Sequence, residues 1–221
     1  MSVTGQPQWY TVTGGAQEYV DRLTATFVHR IRTNCGAAAI TRLDGKVQVR
    51  DTRGETEAYD EVVLACHGNE ALALLKDAGP EEREALAPFR YQRNLAILHR
   101  DESVMPRRRR CWASWVYTSD GRADDPRITV SYWMNRLQRL EEPVDYLVTL
   151  NASTRIDEDA VLRRMVYEHP IYTPASVAAQ RRLPGLSTGR TAFAGAYHGW
   201  GFHEDGCASG ARAAAALGVR W

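Results

Sequence analysis

A glycine-rich stretch near the carboxyl end, residues 189–210, constrains the fold of this chain more than any other part of it. Residues 191–194 have the apolar character of a short strand, and the small residues of 211–217 predict a helix that ends at Gly218. Glycines let a backbone approach a flat or phosphorylated group, and a helix N-terminus favours negative charge. The stretch equally fits an ordinary strand, turn and helix, and the residues alone leave both interpretations open.

Composition and charge are those of an ordinary globular protein, with 44% apolar and 25% charged residues among 221. The net charge of +1 gives no reason to expect a nucleic-acid partner. The four cysteines form no Cys-x-x-Cys pair, which predicts free thiols in a reducing cytoplasm. No apolar run approaches the ~18 residues of a membrane-spanning helix, and the first residues do not form a signal peptide. We therefore expect a cytoplasmic protein without a transmembrane segment.

Apolar spacing in the first third of the chain predicts a helix over residues 16–31. Three strands follow, over 37–42, 46–51 and 57–66, and the Asp-Gly pair between the first two predicts a tight hairpin. The third strand ends in an apolar run that suits burial on both faces. A helix over 67–75 comes next. His67, at its start, is either a polar cap or a residue that faces a ligand.

From residue 91 onward the composition shifts to aromatic and β-branched residues, which favour strands. We predict an antiparallel sheet with strands near 91–99, 111–118, 127–134 and 144–150. Three further helices are predicted over 80–86, 157–167 and 175–183. Mixed α/β structure (α+β) is therefore expected for the chain as a whole.

The motif Phe-Ala-Gly, a short gap, then Gly-Phe-His-Glu-Asp-Gly and Ser-Gly lies within residues 193–210. It resembles the C-terminal FAD-binding segment of flavin-containing amine oxidases and phytoene desaturase-like proteins, in particular a bacterial group of predicted NAD/FAD-binding proteins. The resemblance implies a partial Rossmann-like FAD-binding lobe over 1–76 and 165–221, and a substrate-binding β-sheet lobe over 77–164. It also implies FAD as the cofactor and hydride transfer from a substrate C–H bond to the flavin.

The sequence contains no G-x-G-x-x-G run, the motif that opens the first βαβ unit of an FAD-binding fold. The resemblance therefore covers about the C-terminal half of a family member, and the N-terminal βαβ unit is missing. We expect an FAD-dependent oxidoreductase if a partner chain supplies that unit. The alternative is a non-catalytic truncated fragment.

The resemblance places one set of residues beside the cofactor. An adenine contact is implied for Ala37, diphosphate contacts for the start of the glycine-rich loop, and ribityl and flavin contacts for the start of the last helix. The complete set is Ala37, Gly195, Ala196, Tyr197, Gly201, Phe202, His203, Glu204, Asp205, Gly206 and Ser209.

Aromatic residues of the predicted sheet form a second candidate site, namely Trp112, Trp115, Tyr117 and Trp133. Alternation along a strand puts Trp115 and Tyr117 on one face and Trp112 on the other. These side chains either bind an apolar, fatty-acyl-type substrate beside the flavin or form the core of the sheet.

Arg107 to Arg110 form the only dense basic run. It is a solvated loop, a site for an anion or lipid head group, or a nucleic-acid contact, and the second of these would make the chain a small binding module. His198 and His203 stand in a glycine-rich turn with no cysteine in register, so we expect no metal site. No catalytic acid or base is assigned.

Overall fold

The computed structural model describes residue 8 and residues 10–118, 129–152, 156–187 and 189–219. Residues 127 and 128 of one predicted strand lie outside this part of the chain. The contacts divide the chain into a first unit, Met1–Ile31 with Arg93–Glu168, and a second unit, Arg32–Gln92 with His169–Trp221. These units differ from the predicted lobes, since residues 1–31 lie in the first unit and residues 77–92 in the second. A substrate or cofactor role for either lobe stays a prediction.

The described helices, in chain order, are α1 (Ala16–Thr24), α2 (Gly68–Leu74), α3 (Pro80–Leu86), α4 (Met134–Gln138), α5 (Pro174–Gln180), α6 (Leu183–Leu186) and α7 (His203–Ala216). The described strands are β1 (Ala37–Leu43), β2 (Lys46–Asp51), β3 (Thr56–Tyr59), β4 (Val62–Leu64), β5 (Arg90–His99), β6 (Trp115–Thr118), β7 (Thr129–Trp133), β8 (Leu147–Leu150), β9 (Val161–Ile171) and β10 (Thr191–Phe193). Among these helices, none combines the length and apolarity that crossing a membrane requires.

A five-stranded sheet in the order β6-β7-β8-β5-β9 organises the first unit. Its β6-β7, β7-β8 and β5-β8 pairs are antiparallel. One face of the sheet is covered, because alternate residues such as Ile97, Leu147 and Thr149 have no exposed surface. The predicted antiparallel sheet is therefore confirmed, and β5, between β8 and β9, carries four buried residues, more than any other strand of this sheet.

The second unit combines an antiparallel sheet, β1-β2-β3, with a parallel pair of strands, β10-β4. Asp44 and Gly45 join β1 to β2 with φ of 52° and 72°, as the Asp-Gly hairpin predicts. Leu64, Leu86, Leu183 and Phe193 pack in one apolar cluster between these strands and the helices. Burial of each such side chain contributes about 1.5–3 kcal/mol, which makes this cluster the main stabilising feature of the unit.

Four local predictions are wrong. A helix was expected over 157–167, but residues 161–167 belong to β9, because pairing beside β5 at the sheet edge satisfies their backbone groups. The run 57–66 splits between two sheets, and its Val63 is 41% exposed because β4 pairs with β10 alone among the described strands. The first helix stops at Thr24, and the last one begins at His203.

Candidate functional site

Ser209 of α7 anchors the loop between β10 and α7 by hydrogen bonds. This hydroxyl is 1% exposed and accepts the Gly195 N–H at 2.9 Å. It lies 3.1 Å from the Gly195 carbonyl and 2.8 Å from the Gly206 carbonyl, either of which can take its proton. Ser209, predicted to contact the cofactor, therefore uses its hydroxyl to tie the loop to the helix.

Asp205 closes the other end of the loop and caps α7. Its Oδ2 accepts the backbone N–H groups of Trp200 at 2.9 Å and Phe202 at 3.0 Å. A Cβ on Gly199 would lie 2.1 Å from Oδ1 of Asp205, so any other residue here would displace the Asp205 side chain. The cap explains why the helix begins eight residues before the predicted 211: the carboxylate satisfies N–H groups that no helical carbonyl can reach.

Gln180 of α5 fixes the middle of the loop. Its Nε2 donates to the carbonyl of Tyr197 at 3.2 Å and to that of Gly199 at 2.6 Å. The loop is thus bound from two helices and continues directly from a buried strand. Such anchoring gives the loop one defined conformation, as a ligand site requires.

Two buried polar atoms of the loop have no hydrogen-bond partner within the described part of the chain, Tyr197 Oη and His198 Nε2. Tyr197 is 3% exposed and packs edge-on against Phe89, with ring centroids 5.0 Å apart. Burial raises the pKa of Tyr197 and, together with Arg212, lowers the pKa of His198 to about 4. Both groups are therefore neutral at pH 7, and each is a buried polar atom that an incoming ligand could satisfy.

The remaining loop residues lie at the start of α7. Phe202 is 53% exposed, and Gly201, His203 and Glu204 are also exposed. The carboxylates of Glu204 and Asp205 both stand in the first turn of the helix. Two negative charges disfavour a diphosphate here, whereas they can accept hydrogen bonds from neutral hydroxyl groups.

Ala37 lies apart from the loop, exposed at the start of β1. It lines a pocket of about 80 Å³ together with Cys35 and Asp51. The Cys35 thiol donates to Asp51 Oδ2 at 3.1 Å, and this hydrogen bond raises the pKa of Cys35. The structure thus brings the predicted residues of 195–209 into one loop and helix start, and it leaves Ala37 in a separate pocket.

The four predicted substrate residues separate into two pairs. Trp112 is 6% exposed and packs edge-on against Trp133 at 5.2 Å, inside an apolar cluster of the first unit. Trp115 and Tyr117, by contrast, are 49% and 66% exposed on β6. This second pair therefore offers more ring surface to a ligand than Trp112, which is buried, and Trp133, which is partly buried.

Arg109 of the basic run contacts Trp112 and Trp133. Its guanidinium lies 4.4 Å from the Trp112 ring and 5.1 Å from the Trp133 ring, and it pairs with Asp145 at 2.5 Å. Although burial raises the pKa of Asp145, Arg109 and the Trp133 N–H hold it below its usual value. One of the four arginines is therefore structural, while Arg107, Arg108 and Arg110 remain exposed.

Sequence reasoning missed a cleft of about 800 Å³ in the first unit. It lies between Gln8 with residues 10–14, Trp115, and the segment 134–141 that contains α4. The apolar positions Met134, Leu137 and Leu140, spaced three apart directly after a strand, are the signal that could have indicated this helix.

Comparison with known proteins agrees with the loop motif. Residues 2–108 match the family described as flavin containing amine oxidoreductase, and no curated protein sequence matches the chain. The fold is similar to that of a CLA-producing fatty acid isomerase from P. acnes, with 18% identity, a TM-score of 0.60, and coverage of 93% of this chain and 52% of that one. Cyclohexylamine oxidase from Brevibacterium oxydans IH-35A has 14% identity and a TM-score of 0.63, with coverage of 92% of this chain and 52% of that one. A mutant putrescine oxidase has 12% identity and a TM-score of 0.61, with coverage of 93% of this chain and 53% of that one.

At these identities the solved structures show the fold alone, and the chain spans about half the length of each of them. The family match ends at residue 108 and does not include the glycine-rich motif, but it gives the same family that this motif resembles. The chain is therefore similar to flavin containing amine oxidoreductases over residues 2–108, and its mixed α/β fold corresponds to part of the matched structures.

Proposed function

We propose that this chain binds FAD along residues 195–206 and belongs to an FAD-dependent oxidoreductase that acts on an apolar substrate. The observation that carries the proposal is that two buried polar atoms of this loop, Tyr197 Oη and His198 Nε2, have no hydrogen-bond partner among the described residues. They lie in the loop whose sequence resembles an FAD-binding segment. A buried hydroxyl and imidazole left unpaired cost free energy, and a bound cofactor rich in oxygen and nitrogen would recover it.

The residues of the loop suit different parts of FAD. The backbone at Gly195 and Ala196, which carries no acidic side chain, suits the diphosphate, whose negative charge the first turn of α7 would repel. Glu204, exposed at that turn, suits the ribityl hydroxyls as a hydrogen-bond acceptor. FAD, when bound, supplies acceptance of a hydride from a substrate C–H bond. The chain's own contribution is to hold the cofactor in one orientation.

Trp115 and Tyr117 are the residues proposed to contact the substrate, because their rings are exposed on the sheet of the first unit. Flat apolar surfaces of this kind favour an apolar substrate. Trp112 and Trp133 pack together with Arg109 and so support β6 and β7. Their role is structural support of the two exposed rings.

We further propose that the working enzyme includes a strand–helix–strand segment from the half of the fold that this chain does not span, in the same polypeptide or in a partner. The matched structures are about twice as long as the chain. Parallel sheets are normally buried on both faces, yet β4 belongs to a parallel pair and exposes 41% of Val63. A further parallel strand beside β4 would cover this residue. Without such a segment the chain would be a non-catalytic fragment.

Retention of FAD tests the proposal. The chain is incubated with FAD, desalted, and examined for the absorbance of bound flavin near ~450 nm. We expect Tyr197→Phe to retain about tenfold less flavin than the wild type, whereas Tyr117→Phe, which alters an exposed tyrosine of the first unit, retains as much. Equal retention by Tyr197→Phe would contradict the role of the hydroxyl. Absence of flavin, even with a strand–helix–strand segment of a matched flavoprotein added in trans, would overturn the proposal.

A further inference from the structure

The cleft of the first unit has the dimensions and the lining of a small-molecule site. Its volume of about 800 Å³ lies in the range of ligand pockets. Tyr10, Trp115, Met134, Leu137 and Leu140 form an apolar wall, and Tyr10, Trp115 and Leu140 remain 88%, 49% and 37% exposed. Large apolar side chains that converge on one concave surface favour an apolar ligand.

One wall of the cleft is built before any ligand arrives. Asn135 of α4 donates from Nδ2 to the Val144 carbonyl at 2.8 Å, and its Oδ1 accepts the Tyr146 N–H at 2.7 Å. Arg136 donates to the Trp112 carbonyl at 3.0 Å. These bonds hold the short helix against the sheet, so that Met134 and Leu137 keep their places along the cleft.

Arg139, which follows α4 directly, places a positively charged side chain along the cleft. Arg139 has φ of 52° and ψ of 49°, a left-handed conformation that a non-glycine residue adopts at an energetic cost and that is found disproportionately at functional sites. The Leu140 N–H binds the Asn135 carbonyl at 3.0 Å and closes this turn. No residue of the described chain forms an ion pair with the Arg139 guanidinium, although Glu141 lines the same cleft.

We propose that this cleft binds an elongated apolar molecule that ends in a carboxylate, with the carboxylate on Arg139 and the apolar chain along Trp115, Met134 and Leu137. A guanidinium presents parallel N–H donors that match both oxygens of a carboxylate. Glu141 disfavours this ligand by repulsion, yet its single carboxylate offers no comparable bidentate geometry for an ammonium group. The inference deepens the proposed function, on which it rests only for calling this ligand the substrate.

Binding is measured by titration calorimetry without flavin, so that failure of this site and failure of the FAD site give separate results. The probes are decanoate, 1-decanol and decylamine, three ligands with the same apolar chain and different heads. We expect decanoate to bind most tightly. Arg139→Asn, which tolerates the left-handed backbone, should weaken decanoate binding about tenfold or more and leave 1-decanol unchanged.

Three further variants sharpen the result. Arg108→Asn makes the same chemical change at an exposed arginine that does not line the cleft, and decanoate binding should not change. Glu141→Gln should strengthen decanoate binding, and Trp115→Ala should weaken both decanoate and 1-decanol. Circular dichroism confirms that each variant is folded. Tighter binding of decylamine than of decanoate, or undiminished decanoate binding by folded Arg139→Asn, would refute the proposal, as would absence of binding by the wild type.

Discussion

The guanidinium of Arg42 binds both carboxylate oxygens of Glu82, at 2.6 and 2.8 Å. Arg42 lies on β1 and Glu82 on α3, so this ion pair joins a sheet to a helix in the second unit. Burial alone would raise the pKa of Glu82, but Arg42 and the Gly79 N–H hold it below its ordinary value. The carboxylate is thus ionised at pH 7 and makes several hydrogen bonds in a nearly buried site.

We expect Glu82→Gln to lower the free energy of unfolding by about 2 kcal/mol, because Arg42 loses its charged acceptor in a place where water is scarce. Glu84, on the same helix, pairs with Arg182 but has a side chain that is 69% exposed. The matched variant Glu84→Gln should cost clearly less, because an exposed ion pair is screened by water. Urea unfolding at pH 7 measures both, and equal losses would show that the Arg42–Glu82 pair is no stronger than a surface pair.

Buried His99 makes the stability of the first unit dependent on pH. Its Nδ1 accepts the Asp101 N–H at 3.1 Å, and its Nε2 lies 2.7 Å from Thr149 Oγ1, which in turn is 2.9 Å from Ser131 Oγ. Burial lowers the pKa of His99 below its ordinary 6.5, against the weaker opposite effect of Asp101. Protonation would also disrupt the hydrogen bond that Nδ1 accepts.

A group with a lowered pKa in the folded state binds its proton more tightly when unfolded. Its contribution to stability is therefore complete above pH 6.5 and is lost as the pH falls towards the folded-state pKa. We expect the unfolding free energy of the wild type to fall more steeply than that of His99→Gln between pH 7 and pH 5, by up to about 1.4 kcal/mol per pH unit. His29→Gln, at an exposed histidine, should keep the wild-type slope, and a wild-type slope in His99→Gln would count against the prediction.

The cap formed by Asp205 should stabilise the start of α7. We expect Asp205→Ala to lower the unfolding free energy of the second unit by about 1–2 kcal/mol, because Trp200 and Phe202 lose the acceptor for their N–H groups. Glu204→Ala removes an exposed carboxylate from the same turn and should cost less than about 1 kcal/mol. Thermal or urea unfolding of the two variants makes the comparison. Similar losses would mean that charge at the helix end matters and the cap geometry does not.

We expect substitution by alanine to have opposite effects on stability at two glycines of the motif, Gly199 and Gly210. Gly199→Ala would bring Cβ within 2.1 Å of Asp205 Oδ1 and displace the cap, so we expect a loss of about 1–2 kcal/mol. Gly210 lies inside α7, and the position that a Cβ would take there has no neighbouring atom within 4 Å in the described chain. Gly210→Ala should therefore gain about 0.5–1 kcal/mol. Urea unfolding measures both changes.

A double-mutant cycle distinguishes the cause of the Gly199 effect. If the methyl group acts by displacing the cap, Gly199→Ala should cost little in a chain that already carries Asp205→Ala. Full additivity of the two losses would show that Gly199 is required for a different reason.

Much of the fold was predictable where local residues decide it. The hairpin at Asp44 and Gly45, the helix α3 with Pro80 in its first turn, and the strand β10 follow from turn chemistry, capping and apolar runs. Strand β9 was not predictable, because its residues suit a helix or a strand and the sheet edge beside β5 decided between them.

The candidate site divides in the same way. The motif at 193–210 indicated the cofactor loop, but it did not indicate that Ser209 and Asp205 use their polar groups to hold the loop itself. Nor did the aromatic pattern separate the packed pair, buried Trp112 and partly buried Trp133, from the exposed Trp115 and Tyr117. Arg109 contacts the Trp112 ring, and Asp145 accepts the Trp133 N–H from twelve residues away. These contacts distinguish the packed tryptophans from the exposed residues.

The sequence by itself determined the family resemblance, the α/β character and the position of the glycine-rich loop, because these depend on residue types at short spacing. Only the tertiary structure decided which tryptophans are accessible, and it alone placed Arg139 beside an apolar cleft with no ion-pair partner among the described residues. The physical reason is that burial and hydrogen-bond satisfaction depend on which distant segments meet, and a run of neighbouring residues does not specify them.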